Sequence, residues 1–464
     1  MSTRPDILYI MSDDHAAHAI SAYGSQINHT PNIDRLAIEG VRLTNTFCTN
    51  ALCTPSRATI LTGQYSHVNE VKTLDDEIDS SRPIQSQKLL KQAGYDTAIV
   101  GKWHLGNNEE SNPQGFDYWN ILPGQGDYYD PLMIENGVEK QLEGYVTDLI
   151  TDIAVDWLDS RNSERPFFLM VHHKAPHSSW IPAKRHENLG VEGEFPEPET
   201  LMDDYETRSE AVKITSIRVE DMRKANLKFD PPPGISQAEK RKWAYQRYIT
   251  DYTRTVQAVD DSVGTLLDYL DLRGLTENTL VVYTSDQGMF LGDHGWHDKR
   301  YMYEESLRMP FIARLPGKIE AGSVASGMLL NVDFAPTFMD YAGVEVPDEV
   351  QGSSGRKLLE GTTPASWQNS LYYRYWMHTI GHRIIPNYGV RNERYKLIFY
   401  YGVRLEDTRD PEINIDAEWE LYDLEADPRE SNNVYGQPEF AEVQAEMLAE
   451  LDRLQAKAGD APRH

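Results

Sequence analysis

Cys53 heads the string CTPSRATILTG in a chain with one other cysteine, Cys48. Pro55 suits the first turn of a helix, so Cys53 would meet the helix's positive end, where a thiol or its derivative is activated. On composition alone a lone cysteine is more often a small buried hydrophobe. What decides is what else the chain brings to that point. Asp13, Asp14 and Asp286 would set three carboxylates together, and unpaired carboxylates repel unless a cation or protons join them. Oxygen-only ligands select a hard divalent ion, and the neutral carbonyl of Gln287 suits calcium better than octahedral magnesium. The bland alternative has one aspartate capping a helix and another pairing with arginine. Lys102, His104, His177 and Lys299 supply cations and proton carriers, and Arg57 would lie in the first turn of the Cys53 helix. Taken singly, Lys102 and His104 read equally as solvated loop residues, and Lys299, in HDKRYMYEESLRMP, reads by default as charged surface.

These groups follow apolar runs of one kind. ILYIM leads into Ser12-Asp13-Asp14-His15, TAIVG into Lys102-Trp103-His104, FFLMV into the HHKAPH that ends at His177, and LVVYT into Ser285-Asp286-Gln287-Gly288. Each run is short and continuously apolar, as in strands buried on both faces. Helical patterns lie between them: PNIDRLAIEG, IQSQKLLKQAGY, and a long stretch with Tyr248, Tyr252, Val256, Val259, Val263, Leu266 and Leu270 on one stripe. Alternating strand and helix predicts an α/β fold, a large mostly parallel sheet sandwiched by helices, with ligands beyond the carboxyl ends of the strands. The Pro- and acid-rich stretch from about 185 to 240 reads as a surface excursion, a flap over the site. After residue 345 the texture changes: RYKLIFYY and EWELYDLEADP suggest antiparallel strands, and 437–457 a closing helix. The expected organisation is a catalytic domain over 1–345 and a smaller C-terminal α+β domain over 346–464.

With 464 residues and 40% hydrophobic content, the chain can build about two globular cores. A net charge of −28 argues against nucleic acid as partner. An anionic small substrate is still admissible, because a local cluster of cations dominates within about 8 Å. No run approaches the ~20 apolar residues of a membrane span. MSTRPDILYIMSDDH enters a strand directly, so the chain as written is expected to be cytoplasmic, or periplasmic or secreted if a leader was removed. Two cysteines make no disulfide framework.

CTPSRATILTG resembles the Cys-x-Pro-Ser-Arg signature of type I sulfatases, in the alkaline-phosphatase-like superfamily. MSDDH, GKWHLG, HHKAPH, TSDQG and DKRYMYEES resemble that family's other motifs in order, over roughly residues 5–345. The resemblance implies that Cys53 is oxidised by a formylglycine-generating enzyme to an aldehyde whose hydrate is the nucleophile. It implies calcium held by Asp13, Asp14, Asp286, Gln287 and modified Cys53, with Gln287 standing where asparagine is usual. Arg57 would steady the formylglycine, Lys102 and Lys299 clamp the sulfate, His104 act as base, and His177 protonate the leaving oxygen. The implied reaction is hydrolysis of a sulfate ester, of a small sulfated carbohydrate and of aryl sulfates. The alternatives are a phosphate or phosphonate ester hydrolase of the same superfamily and a catalytically silent anion-binding homologue. In YRYWMHTIGHRIIPNYGVR, Arg374, His378, His382 and Arg383 are candidates to read a sugar, or else form an aromatic seam between domains.

Overall fold

The computed structural model describes residues 4–190, 195–377, 382–401 and 415–461. The chain forms strands β1 (Asp6–Ser12), β2 (Val41–Leu43), β3 (Thr46–Phe47), β4 (Asp96–Lys102), β5 (Tyr118–Leu122), β6 (Leu132–Glu135), β7 (Val138–Gln141) and β8 (Phe167–His172). They are followed by β9 (Thr279–Ser285), β10 (Phe311–Arg314), β11 (Ser323–Ala325) and β12 (Leu329–Leu330). A 10-stranded sheet runs in the order β11-β2-β10-β9-β1-β8-β4-β5-β6-β7, while β3 pairs with β12 apart from it. The four runs singled out in the sequence are β1, β4, β8 and β9. They are parallel neighbours at the centre of the sheet. Their register aligns Ser12 with Ser285, Met11 with His172, and His172 with Gly101. All four polar clusters therefore leave from one edge. Around this parallel centre, β10 runs antiparallel to β9 and β2, and β6 and β7 are antiparallel additions at the far side.

Side chains of β1 alternate between two cores, as the two-residue strand period requires. Ile7, Tyr9 and Met11 pack with Ile60, Phe334 and Phe338 on one face, and Leu8 and Ile10 pack with Ile33, Val146 and Val263 on the other. The long helix spans Gln237–Leu272, starting about eight residues before the predicted stretch. Ser236 and Glu239 close its start with a capping box, a local signal that carries the helix past the apolar stripe. The stripe itself is fully buried from Tyr248 to Leu270. Burying each of these side chains contributes roughly 1.5–3 kcal/mol before entropy is charged.

The second sheet contains β13 (Ser370–Tyr375), β14 (Asn387–Asn392), β15 (Tyr395–Tyr400) and β16 (Glu418–Asp423), all antiparallel in that order. Tyr372, Leu397 and Leu421 face the closing helix Ala441–Ala458, through Met447, Leu451 and Leu454. Leu371, Tyr373, Tyr375, Ile398 and Tyr400 face the other way and join the core beneath the large sheet. The two sheets thus share a hydrophobic core. Among the described residues no helix is long and apolar enough to cross a membrane.

Candidate active site

Cys53 is the first residue of the helix Cys53–Thr62, every residue of which is buried. The helix therefore begins two residues earlier than Pro55 alone would place it. Burial raises the Cys53 thiol above its usual range, although Lys102 and Lys299 pull the other way. Burial thus disfavours the thiolate of unmodified Cys53, which leaves the derivative as the candidate nucleophile.

The strand ends surround this residue with charge. Lys102 Nζ bonds to Asp13, and Lys299 Nζ lies 2.6 and 2.7 Å from the two oxygens of Asp14. Arg57 donates from Nε to Asp286 Oδ2 at 3.0 Å and from Nη1 to the Lys102 carbonyl at 2.8 Å. The Asp14 amide donates to Asp286 Oδ1 at 3.2 Å. Burial works against the charge on Asp13, yet Lys102, His177 and Arg57 hold it well below the usual carboxylate range. Burial, followed by the charge of Asp13, pushes Asp286 up to about 7 against the pull of Arg57. Burial raises Asp14 as well, against Lys299. Besides burial, the charge of Asp13 raises both Asp14 and Asp286, and each of the three acids is also paired with a side-chain cation, Lys102, Lys299 or Arg57.

Two oxygens at this point are left over. Asp13 Oδ1 and Gln287 Oε1 are buried and have no hydrogen-bond partner, while Gln287 Nε2 donates to Asp14. Buried acceptors without donors are costly, and a hard cation satisfies them. The donor set thus fits calcium, with the longer arm of Gln287 presenting its carbonyl. Among the described residues, Asp13, Asp14 and His177 bring one ligand atom each within 4.8 Å of one another, while the oxygens of Asp286 accept from Arg57 and the Asp14 amide. Ser56 reinforces the arrangement, donating to the Asp286 carbonyl and accepting from Asn331 Nδ2 at 2.9 Å.

Both histidines stand over this floor. His104 takes a left-handed backbone, φ 55°, and its Nδ1 lies 3.3 Å from Thr54 Oγ1. Asp14 is also left-handed, φ 67°, and such strain in non-glycine residues gathers at functional sites. His177 Nδ1 donates to the Ser178 carbonyl at 2.9 Å, which turns Nε2 toward Asp14 Oδ2 at 3.8 Å. Burial drives both rings well below the ordinary histidine range, aided at His104 by Lys102 and opposed at His177 by Asp13. Gly101 lets β4 crowd β8 just before Lys102: its φ is 105°, and a Cβ there would lie 2.0 Å from the His172 carbonyl.

A cavity of about 630 Å³ opens from Cys53, with Asp14, His177 and Lys299 in its walls. The excursion closes one side through Ser216, Asp221, Met222 and Arg223. It is pinned to the body by Asp203, which accepts from His294 Nδ1 and Arg208 Nη2, each at 2.9 Å. Of the residues expected to read the substrate, His382 lines the cavity, 3.6 Å from Asp298. Arg374 does not, which corrects the sequence reading. It makes bonds of 2.7 and 2.8 Å to Asp460 and lies over the Trp376 ring, so it belongs to the seam between β13 and the closing helix. Arg383 is exposed and outside the lining, and His378 lies outside the described residues.

Sequence reasoning passed over Asp298, Arg300 and His297, which line the cavity beside Lys299 in the same HDKRYMY string. It also passed over Gln125, which accepts from Lys102 Nζ, and Lys174, which lies over the Tyr128 ring and is lowered to about 8, chiefly by burial. Asp298 and Arg300 were legible as a charged run; Gln125 sits in a generic PGQG turn.

A floor of carboxylates at parallel strand ends, ringed by lysines, suits hydrolysis of esters of tetrahedral oxyanions. The chain belongs to the sulfatase family, whose model, described as Sulfatase, matches residues 5–344. It is accordingly a sulfuric ester hydrolase of the alkaline-phosphatase-like superfamily. A second description, N-sulphoglucosamine sulphohydrolase, C-terminal, matches residues 292–457. The chain is 44% identical to an N-acetylglucosamine-6-O-sulfatase of Bacteroides thetaiotaomicron, over 98% of this chain and 87% of that one. It is 28% identical to an ulvan-active sulfatase of Formosa agariphila, over 99% and 82%. The structure of BT4656 in complex with its substrate D-glucosamine-2-N,6-O-disulfate superposes with a TM-score of 0.92 at 42% identity, covering 98% of both chains.

Proposed function

We propose that this chain is a carbohydrate sulfatase that removes the 6-O-sulfate of a glucosamine-type sugar, using formylglycine made from Cys53 by a maturation enzyme and a calcium ion. The observation that carries the proposal is that Asp13 Oδ1 and Gln287 Oε1, buried at the strand ends around the Cys53 helix, each lack a hydrogen-bond partner. The names and bound sugar of the close relatives support the substrate class.

When in place, the modified residue supplies a hydroxyl nucleophile and the metal, held by Asp13, Asp14, Asp286 and Gln287, neutralises sulfate oxygens. Lys102 and Lys299 are buried ammonium groups aimed at the same floor, where they stabilise charge as the ester bond breaks. Arg57 holds Asp286 and the Lys102 carbonyl, fixing metal ligand and lysine together. His104, beside Thr54, is placed to take a proton at the nucleophile's side. His177 presents Nε2 to the leaving oxygen; with its Nδ1–H on the Ser178 carbonyl, it gives a proton from Nε2 as the imidazolium, the form that burial opposes and the charge of Asp13 favours. Aryl sulfates, whose phenolates leave readily, would also be hydrolysed.

One experiment tests this reading. Sulfate release from N-acetylglucosamine 6-sulfate and from an aryl sulfate is measured with wild type and Cys53→Ala, with and without a chelator, after intact mass establishes the state of residue 53. Wild-type release that is lost in Cys53→Ala and lowered by chelation until calcium is restored is expected. Full activity in Cys53→Ala overturns the nucleophile; indifference to chelation overturns the metal.

A further inference from the structure

The cavity has buried Lys299 in its lining, paired with Asp14 and Asp298, and an exposed wall supplied by the excursion. Arg223 stands in that wall on a segment that cannot drift. Met222 before it and Leu227 after it are buried at 7% and 4% exposure. Lys228 donates to the Trp180 carbonyl at 2.6 Å and to Asp251 at 2.8 Å, tying the segment to the loop after β8 and to the long helix. The Arg223 carbonyl accepts from the Asn226 amide at 2.9 Å.

The guanidinium of Arg223 itself has no carboxylate partner among the described residues. The chain carries a net charge of −28, and three arginines of the excursion and the long helix are paired, Arg208 with Asp203 at 2.9 Å, Arg241 with Glu220 at 2.6 Å and Arg247 with Asp251 at 3.0 Å, whereas Arg218 donates to the Lys213 carbonyl. An arginine without a carboxylate partner, in the lining of a cavity proposed to take an anionic ester, offers a site for a second anion, with Asp221 in the same wall. Its planar fork suits the oxygens of a sulfo group.

We propose that Arg223 binds a second sulfo group of the sugar, on N2 or O3, while Lys102 and Lys299 hold the ester that is cut. The proposal rests on the sulfatase reading above. A volume of about 630 Å³ lies within the usual range for small-ligand sites and accommodates one disulfated sugar. Repulsion between the two sulfates is offset when separate cations of the lining take one each. Because Arg223 is exposed, its contribution is screened by salt.

The test is steady-state kinetics on N-acetylglucosamine 6-sulfate, glucosamine 2-N,6-O-disulfate and glucosamine 3-O,6-O-disulfate, with wild type, Arg223→Gln and Arg223→Lys. Arg223→Gln should raise KM for at least one disulfate about tenfold more than KM for the monosulfate, with kcat on that disulfate nearly kept. Arg223→Lys should recover part of that loss, and salt should erode the wild-type preference. The disulfate affected identifies the position read. An unchanged KM ratio for both disulfates, in a variant that melts with wild type, overturns the proposal while leaving the sulfatase reading intact. A wild type that turns over none of the three sugars overturns both.

Discussion

His104 and His177 are both buried, and burial lowers both, but in the proposed reaction their surroundings suit them to different protons. His104 is tied to Thr54, the neighbour of Cys53, whereas His177 uses Nδ1 on the Ser178 carbonyl and leaves Nε2 to the cavity. Loss of His177 should therefore hurt most when the departing oxygen is basic. His177→Ala is expected to lose about 10²–10⁴-fold in kcat on a sugar sulfate and far less on a nitrophenyl sulfate. His104→Ala should lose similar factors on both, because its proton belongs to the nucleophile's side and not to the alcohol. Rates of both variants on both substrates check this. Equal losses for His177→Ala on the two substrates would mean that its proton does not go to the leaving group.

Tyr373 links the antiparallel sheet to the chemistry. From the middle of β13 its hydroxyl donates to the Arg300 carbonyl at 2.6 Å and accepts from the Ala51 amide at 3.2 Å. It thereby joins the residue after Lys299 to the approach to Cys53. Asp298 and Arg300 hold left-handed backbone, φ 71° and 92°, so this loop needs outside support to keep Lys299 aimed. Tyr373→Phe strands a buried amide, which costs about 1–3 kcal/mol, and should also lower kcat several-fold with KM nearly kept. Thermal midpoint and both kinetic constants are measured together. A lower midpoint with unchanged kcat would reduce Tyr373 to a packing role. This tie also marks what was legible beforehand. The parallel strands and their polar ends could be read because each run is continuously apolar and stops at charged residues. Tyr373, Asn331 and Ser56 could not, since a hydrogen bond between distant segments leaves no periodic trace. Arg374 misled for a related reason: an arginine among aromatics looks the same whether it faces a sugar or, as here, Asp460. Asp286 was found by its strand end, but its bond to Arg57 required both elements in place.

Stability against pH draws on buried groups spread through the whole chain, and they pull in opposite directions. His173, fully buried with Nε2 3.0 Å from Ser262 Oγ, is lowered to about 3 by burial. Unfolded, it titrates near 6.5. Between these values the unfolded chain binds the proton and the folded chain does not, so this group's stabilisation is full at neutral pH and is lost as pH falls. Asp260 is the converse. It accepts from the Asn32 and Ile33 amides at the start of the helix Pro31–Glu39, and burial pushes it up to about 6 despite those bonds. Unfolded, it titrates near 3.9. Across that window the folded chain holds the proton, so stability from this group grows as pH falls from 6 toward 4. The two effects should largely cancel in wild type between pH 6 and 4, and single variants should separate them. Relative to wild type, His173→Gln should gain stability as the solution is acidified, and Asp260→Asn should lose it. Each difference should change by up to about 1.4 kcal/mol per pH unit. Urea midpoints at pH 7, 6, 5 and 4 for the three proteins measure both slopes. Curves that stay parallel to wild type at every pH would mean that neither group changes its proton affinity on folding.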